Sequence, residues 1–422
     1  MEYKAHKGFA EGLDRRDPLG MFRSRFQVPH TPQGQEVIYF CGNSLGLQPK
    51  NVADHVGEVV AAWRELAVEG HFHGKNPWWT YHDHLIGPTA RLAGALPVEV
   101  TLMNALTMNL HLLMVSFYRP TPERHRILIE GRAFPSDQYA VKSHIAWHGY
   151  NAAESLLEVK PRPGEDCIRT ADIESLLARE GKTIALVLLG GVHYYTGQAF
   201  RMDRISRAAR TYGCVVGYDL AHAIGNVPLA LHDWDVDFAA WCTYKYLNGG
   251  PGATGGCFVH ERHARSFDLS RFAGWWGHDR STRFRMGPDF HPIPGAEGWQ
   301  VSNLPVLQLA ALRPSLEMFD EAGFERLREK SVALTGYLEY LLRGAIRGEC
   351  SIVTPPDKEE RGCQLSIRVG ADRKPVFERL LALGVVCDWR EPDVIRVAPV
   401  PLYNTFVEVY EFVERFREAL QQ

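Results

Sequence analysis

Three polar side chains stand just past the ends of two apolar runs in the middle of the sequence. The run 215–218 is followed by Asp219, with His222 three residues further on. A second run, 236–242, is followed by Lys245. Because the carboxyl ends of strands in an open α/β sheet face a common crevice, we expect the acid and the lysine to converge on one ligand.

A lysine and an acid placed in this way match the needs of pyridoxal 5'-phosphate (PLP), which requires a Schiff-base lysine and an acid for its pyridinium nitrogen. Either residue alone has a plainer interpretation, as a solvated loop lysine or a helix N-cap. The joint pattern, with Tyr244 beside Lys245, favours the PLP interpretation. Segment 250–255 has the glycine spacing of a dinucleotide fingerprint. It runs into an apolar strand instead of opening a helix, so we reject that function.

The size and composition of the chain narrow the class of protein. A chain of 422 residues exceeds the size of a single hydrophobic core, so we expect two domains. The net charge of −3 gives no electrostatic argument for binding nucleic acid or an anionic membrane. No apolar run could span a bilayer, and the N-terminal residues lack a secretion signal. The 8 cysteines are scattered without a CxxC pair, which suits a reducing compartment, so we expect a cytoplasmic enzyme.

Apolar β-type runs alternate with helical patterns between residues 98 and 260. This alternation predicts an α/β fold, with a large domain whose mostly parallel mixed sheet is flanked by helices. The predicted strands are 98–103, 126–130, 156–159, 183–189, 214–218, 236–242 and 255–260. The predicted helices between them are 108–117, 136–147, 171–179 and 203–212.

The C-terminal part has a different character. Helices are predicted at 302–319 and 324–343, and beyond them the pattern indicates a smaller α+β domain with strands 364–369 and 394–397 and helices 374–383 and 405–420. Residues 1–36 are polar and are interpreted as an arm or irregular segment. We therefore predict an N-terminal segment 1–50 that packs with the small domain, a large PLP-binding domain 51–315 and a small domain 316–422.

Two strand-to-helix junctions have residues suited to a cofactor. At the first, Leu106 and Thr107 precede a helix, and Thr107 could face an anion or simply cap the helix. The second follows strand 126–130, where an aromatic side chain could stack on a flat ring and an acid could polarise it. An ordinary proline-fixed helix start explains that segment equally well. Its residues are Phe134, Pro135, Ser136 and Asp137.

Other polar and aromatic residues leave more than one interpretation open. Arg396 has apolar neighbours, so it is either a structural ion pair or a fork for a carboxylate. Trp275 and Trp276 between glycines favour an interface or a pocket wall. Histidines 71, 73, 82 and 84 lie close in sequence, but no HExxH or CxxC accompanies them, and we predict no metal.

With these residues assembled, the sequence resembles the kynureninase family, fold-type I PLP enzymes of the aspartate aminotransferase superfamily. The matching motifs extend from residue 39 to 404 and are more specific than the lysine segment alone. They are YFCGNSLGLQPK (39–50), NALTMNLHLLM (104–114), AFPSDQYA (133–140), GVHYYTGQ (191–198), YDLAHAIGN (218–226), WCTYKYLN (241–248), GWWGH (274–278), STRFRM (281–286) and IRVAPVPLYN (395–404).

The resemblance implies an activity and an assembly. The reaction is hydrolysis of the Cβ–Cγ bond of L-kynurenine or 3-hydroxy-L-kynurenine, giving anthranilate or 3-hydroxyanthranilate and L-alanine, in tryptophan catabolism or NAD biosynthesis. The protein would act as a homodimer with shared active sites.

The resemblance also implies roles for individual residues. Lys245 would form the Schiff base and remove the α-proton, Asp219 would pair with the pyridinium nitrogen, and Tyr244 is a candidate proton donor. The other cofactor-binding residues would be Leu106, Thr107, Phe134, Pro135, Ser136, Asp137, His222, Tyr244 and, across a dimer interface, Trp275 and Asn303. Arg396 would bind the substrate carboxylate, and the aryl group would be surrounded by Ser44, His71, His278 and Asn303. Some relatives have Ser where this chain has Gly190, and no role is carried over to that position.

Two alternatives fit the sequence less well. A cysteine desulfurase or related PLP lyase needs a reactive cysteine on a mobile loop after the lysine, whereas Cys257 lies in an apolar strand pattern. A non-catalytic protein that has kept the fold would have no reason to retain Lys245, Asp219 and Arg396 together.

Overall fold

The computed structural model describes residues 2–345 and 350–421. Of the segments predicted above, residues 1, 346–349 and 422 lie outside this description. The α-helices of the described residues are α1 (Lys7–Asp14), α2 (Val52–Leu66), α3 (Asp83–Ala93), α4 (Leu106–Phe117), α5 (Pro135–Trp147), α6 (Ala152–Ser155), α7 (Thr170–Glu180), α8 (Met202–Thr211), α9 (Val306–Ala322), α10 (Phe324–Ala345), α11 (Lys374–Ala382) and α12 (Phe406–Leu420).

The β-strands of the same residues are β1 (Phe26–Gln27), β2 (Ile38–Tyr39), β3 (Gln48–Pro49), β4 (Val100–Leu102), β5 (Arg126–Glu130), β6 (Leu156–Val159), β7 (Ile184–Gly190), β8 (Val215–Asp219), β9 (Phe238–Trp241), β10 (Gly256–Val259), β11 (Ser351–Ile352), β12 (Leu365–Arg368), β13 (Val385–Val386), β14 (Asp388–Arg390) and β15 (Val394–Val397). None of the helices in the described ranges is long and apolar enough to cross a membrane.

The central element is a seven-stranded sheet of order β4-β10-β9-β8-β7-β5-β6. Strands β6, β5, β7, β8 and β9 run parallel, and only β10 is antiparallel to both of its neighbours. Every residue of β7 is buried, as expected for a strand covered on both faces. The predicted mixed, mostly parallel sheet is confirmed. Strand β10 is antiparallel because the lysine loop returns directly from β9, without the crossover that a parallel neighbour needs.

Several predicted boundaries were wrong by a few residues. Residues 97–99 form a 3₁₀ turn, so β4 begins only at Val100. The helix expected from residue 302 begins at Val306, because Pro305 takes the N-cap position. The polar residues 1–36 are not irregular throughout, since Lys7–Asp14 form helix α1 with Ala10 and Leu13 buried. Phe9, Ala10 and Leu13 form one apolar face, but this helical pattern spans only 8 residues and was missed.

A second hydrophobic cluster lies around the antiparallel sheet β11-β12-β15-β14. It joins side chains of α10, α11 and α12 with Ala10 and Leu13 of α1 and with Ile38 and Phe40. Strand β2 also pairs in parallel with β13. The N-terminal segment thus contacts the C-terminal part of the chain, which brings residues 41–44 and Arg396 close together.

Candidate active site

A cavity of about 300 Å³ opens at the carboxyl ends of β5, β7 and β8. It collects eleven of the residues that the sequence singled out: Ser44, Leu106, Thr107, Phe134, Ser136, Asp137, Asp219, His222, Tyr244, Lys245 and Arg396. Asp219 is the last residue of β8, whereas it was expected to follow the end of that strand. The predicted convergence of the acid and the lysine is therefore present.

Lys245 lies against a buried imidazole. Its Nζ is 2.9 Å from Nε2 of His222, and the other ring nitrogen of His222 has no hydrogen-bond partner among the described residues. Burial lowers the pKa of His222 well below its usual value, and the neighbouring Lys245 lowers it further. The imidazole is therefore neutral at neutral pH and can accept a hydrogen bond from the lysine.

Asp219 and Asp137 form a buried carboxyl pair. Burial raises the pKa of both, and that of Asp137 is raised further by the charge of Asp219. The side chains hydrogen-bond each other, which favours a protonated Asp137 and an ionised Asp219. Asp219 Oδ1 also accepts a hydrogen bond of 2.7 Å from the amide of Ala221. Of the two, Asp137 therefore keeps its proton to higher pH, and the negative charge is favoured on Asp219.

Two helices begin at the wall of the cavity. Thr107 and Ser136 are the second residues of α4 and α5, and their hydroxyl oxygens are 2.7 Å apart. Of the two interpretations left open for Thr107, the plain N-cap was wrong, since Ala105 takes that position, and no side chain caps either helix. First-turn amides without side-chain caps and two helix dipoles favour an anion at this point.

Aromatic side chains frame the cavity. Phe134 is 46% exposed, and its ring packs edge-on against Tyr194 with centroids 5.3 Å apart, so one face is left for a flat ligand. Burial raises the pKa of Tyr244 above its usual value, which keeps its hydroxyl protonated. The Lys245 Nζ lies 5.8 Å from the centroid of the Tyr244 ring.

Arg396 forms an ion pair and also lines the cavity. Its Nε donates to Asp388 Oδ1 at 2.6 Å and its Nη2 contacts Asp388 Oδ2. Its Nη1 donates to the carbonyl of Tyr194 at 2.7 Å, and Nη2 lies 3.3 Å from Ser44 Oγ. The two interpretations left open by the sequence are thus compatible, since a guanidinium has five N–H donors and not all are used.

Five of the predicted site residues do not line this cavity: His71, Pro135, Trp275, His278 and Asn303. Pro135 is the first residue of α5, directly beside the wall. His71 and Asn303 line a separate, mostly apolar cavity of about 340 Å³ with Trp63, Trp78 and Trp276. Trp275 donates its indole N–H to the carbonyl of Arg283, and His278 forms a hydrogen bond with the hydroxyl of Thr282. One chain does not bring His71, Trp275, His278 or Asn303 to the cavity of Lys245.

Four of the residues that the sequence reasoning missed at the site have charged or amide side chains. Glu130 is the last residue of β5 and lines the cavity, as Asp219 does at the end of β8. Because strand 126–130 was predicted, its terminal acid could have been recognised in the same way. Asn43 also lines it, with a buried side-chain oxygen that has no partner in the described residues. Arg390 lines the cavity, and Asp388 contacts Arg396. Both lie on β14, a strand that no sequence pattern predicted.

Two groups of side chains elsewhere have metal-ligand types, one around Glu99, His232 and His260 and the other around His82, Asp83 and Glu297. In the first, His232 Nδ1 lies 2.9 Å from Glu99 Oε1, which also accepts from the amide of Glu261. In the second, Arg280 donates to Glu297. These internal bonds explain both groups as polar networks.

The residues of the cavity fit PLP. The group needs a reactive amine, a carboxylate for its ring nitrogen, an aromatic face and a phosphate site. Lys245, Asp219, Phe134 and the starts of α4 and α5 supply these, and the unpartnered Nδ1 of His222 and Oδ1 of Asn43 leave polar atoms available nearby.

Comparison with solved structures defines the class of fold. The chain superposes on a C-DES mutant with glycine covalently linked to its PLP cofactor, with a TM-score of 0.77, 16% identity and coverage of 94% of this chain and 99% of that one. It superposes similarly on the cysteine desulfurase CsdA from Escherichia coli, with a TM-score of 0.75, 15% identity and coverage of 96% and 98%. The fold is therefore that of the fold-type I PLP enzymes, as predicted.

Sequence comparison identifies the family. Residues 327–416 match the model of the kynureninase C-terminal domain. The chain is 60% identical to the kynureninase of Koribacter versatilis over 97% of both chains. It is 55% identical to that of Myxococcus xanthus over 98% of this chain and 97% of the relative. The chain belongs to the kynureninase family, and the resemblance drawn from its motifs is confirmed.

Proposed function

We propose that the Lys245 cavity binds PLP and hydrolyses the Cβ–Cγ bond of L-kynurenine or 3-hydroxy-L-kynurenine, releasing anthranilate or 3-hydroxyanthranilate and L-alanine. The observation that carries the proposal is the approach of Lys245 Nζ to His222 Nε2, at 2.9 Å, in the cavity that also holds the Asp137–Asp219 pair. Family membership at 60% identity supports the same reaction.

PLP, when bound, supplies an electron sink for the negative charge that develops on the substrate α-carbon. The chain must then hold the ring nitrogen protonated and place a base beside the α-proton. Asp219 would face the ring nitrogen with a negative charge, and the hydrogen bond from Asp137 favours that charge on Asp219. Lys245 is the base, and the neutral imidazole of His222 holds its amine by accepting a hydrogen bond. Leu106, Thr107, Ser136 and Tyr244 would hold the phosphate, Pro135 would fix the start of α5 beside it, and Phe134 would stack on the ring.

The later half of the reaction needs a proton donor. After the Cβ–Cγ bond is cleaved by water addition at the γ-carbonyl, Cβ must take up a proton to become the methyl group of alanine. Tyr244 is adjacent to Lys245 and its hydroxyl stays protonated because burial raises its pKa. We assign it that donation.

Arg396 and Ser44 form the end of the cavity that receives the substrate. Arg396 is 1% exposed and held by Asp388, Tyr194 and Ser44, so its one remaining N–H, on Nη1, is fixed in direction. A planar guanidinium fixed in this way suits the α-carboxylate of an amino acid. Ser44, which the resemblance implies near the aryl group, lies 3.3 Å from Arg396, and we assign it to that end.

His71, His278, Trp275 and Asn303 act across the interface of a homodimer with shared active sites. In one chain they are remote from Lys245, but large apolar side chains around them are exposed, including Trp63 at 62% and Leu307 at 44%. An apolar surface of this kind favours burial against a second copy. There His71, His278 and Asn303 would face the aryl group and could bond a ring hydroxyl, which favours acceptance of 3-hydroxy-L-kynurenine. The homodimer would be a cytoplasmic enzyme of tryptophan catabolism or NAD biosynthesis, with segment 1–50 packed on domain 316–422 beside domain 51–315.

A desulfurase reaction finds no support at the site. No cysteine lines the Lys245 cavity within the described ranges, and Cys257 is fully buried in β10. The similarity to desulfurase structures therefore concerns the fold.

The experiment that tests the proposal is a product assay. Purified protein supplied with PLP should convert L-kynurenine to equimolar anthranilate and alanine, measured by chromatography. Lys245→Ala should abolish conversion, whereas the exposed Lys160→Ala should not. A protein that binds PLP but forms no anthranilate would overturn the assigned reaction.

A further inference from the structure

Three neighbouring strand ends place two acids on either side of a glycine. β5 ends at Glu130, β7 at Gly190 and β8 at Asp219, and β7 lies between the other two in the sheet. Gly190 is in register with Asp219. A Cβ at position 190 would come within 3.0 Å of Glu130 Oε1. The carboxyl group of Glu130 thus occupies space that a larger residue would need.

Few partners stabilise the negative charge of the buried Glu130 carboxyl group. It is 4% exposed, lines the Lys245 cavity, and accepts hydrogen bonds from the amide of Gly190 at 3.1 and 3.3 Å to its two oxygens. No cation forms an ion pair with it among the described residues. Burial raises its pKa to about 7, and the charge of Asp219 raises it as well. The side chain therefore changes charge near neutral pH.

The groups around Glu130 come from several elements. Asp219 lies on β8, Asp137 on α5, and Lys245 and His222 on the loops after β9 and β8. His193, after β7, contacts the carbonyl of Gly131, and its pKa is lowered by burial to about 4, so it stays neutral. Lys160, after β6, is exposed and lies near Glu158. Ionised Glu130 raises the pKa of Asp137.

We propose that Glu130 is a positioning residue that acts through Asp137 and Asp219. Its charge state sets how firmly that pair keeps its shared proton, and hence the charge that would face the cofactor nitrogen. Ionisation of Glu130 adds a second negative charge beside the pair. Asp137 then keeps its proton to higher pH, and Asp219 remains the hydrogen-bonded carboxylate.

The inference rests on the proposed function, because it needs PLP at Asp219. Its test is a pH titration of the visible spectrum of the holoenzyme, with the infrared band of protonated carboxyl groups recorded on the same samples. Wild-type protein should show a spectral step and loss of one buried carboxyl band near pH 7. Glu130→Gln, which keeps the shape and can still accept from Gly190, should lose both. Glu158→Gln, on the neighbouring strand and exposed, should keep both.

A second variant keeps the test decisive if Glu130→Gln fails to fold. In Gly190→Ser the carboxyl group of Glu130 must shift by a few tenths of an ångström to admit the new Cβ, and the hydroxyl can then donate to it and stabilise its ionised form, lowering the pH of both changes by about one unit. Retention of both changes in Glu130→Gln, or an unmoved step in Gly190→Ser, would overturn the inference alone. A wild-type protein with no visible PLP band would instead overturn the proposed function.

Discussion

Arg396 and Asp388 lie directly opposite each other on the antiparallel strands β15 and β14 and form a two-pronged ion pair at the edge of the cavity. Desolvation raises and Arg396 lowers the pKa of Asp388, and the net effect is a lowered value. The carboxylate thus stays charged at neutral pH and fixes the guanidinium in one orientation before any substrate binds.

This arrangement predicts that Arg396→Lys raises KM for L-kynurenine by about 10- to 100-fold, because one charge-assisted, directed contact to the carboxylate is lost. kcat should fall less. The matched control is Arg368→Lys on β12, where an arginine of similar type pairs with Asp166 away from the cavity. Steady-state kinetics measure both, and an unchanged KM in Arg396→Lys would show that the substrate carboxylate binds elsewhere.

The hydroxyl pair at the starts of α4 and α5 predicts a defect in cofactor affinity. Thr107→Val removes one of two hydroxyls 2.7 Å apart and should weaken PLP binding by about tenfold or more, as for loss of a hydrogen bond to a charged group. Equilibrium dialysis against PLP measures this. The control is Thr335→Val, which makes the same hydroxyl-to-methyl change at a buried threonine whose hydroxyl donates to the backbone of α10. Equal PLP affinity in the two variants would place the phosphate elsewhere.

The proposed role of Tyr244 predicts a selective kinetic defect. Tyr244→Phe should slow alanine formation in a single turnover by about 100-fold or more, the usual contribution of a positioned acid, with less effect on PLP binding. Tyr139→Phe, an exposed tyrosine on α5, serves as control. A full single-turnover rate in Tyr244→Phe would remove the assignment.

The shared site predicts complementation between inactive variants. Lys245→Ala and Asn303→Ala should each be nearly inactive alone. After their subunits exchange, half of the dimers would be hybrids with one intact site, restoring about a quarter of wild-type activity. Sedimentation confirms the dimers. Full activity of wild-type protein in a verified monomer would contradict the shared site.

His193 predicts a pH dependence of stability. Its pKa is lowered by burial from 6.5 to about 4, so between these values the unfolded state binds one more proton at this residue. Its contribution to stability is therefore present above about pH 6.5 and is lost as the pH falls, at up to about 1.4 kcal/mol per pH unit. His193→Asn, whose side-chain oxygen can accept from the amides of Tyr195 and Thr196, should remove that slope. Urea unfolding across this range measures it, with the exposed His30→Asn as control, and parallel wild-type and His193→Asn curves would refute it.

The sequence predicted those parts of the site that follow from strand ends and motifs. Asp219 and Lys245 could be placed together because both follow apolar runs of one sheet. Asp388 and Arg390 could not, since they reach the site from a three-residue strand whose pairing with β15 depends on the folded chain. Helix α1 escaped notice because its apolar face spans only 8 residues, whereas its packing on α12 is a property of the folded chain. The separation of His71 and Asn303 from Lys245 is likewise a property of the folded chain.

The most direct test of the central claim is to locate the cofactor on the chain. Holoenzyme reduced with borohydride and digested should yield one PLP-modified peptide, with the label on Lys245, and the reduced protein should no longer release anthranilate from L-kynurenine. Label on another lysine, or none despite a visible PLP band, would contradict the account of the site.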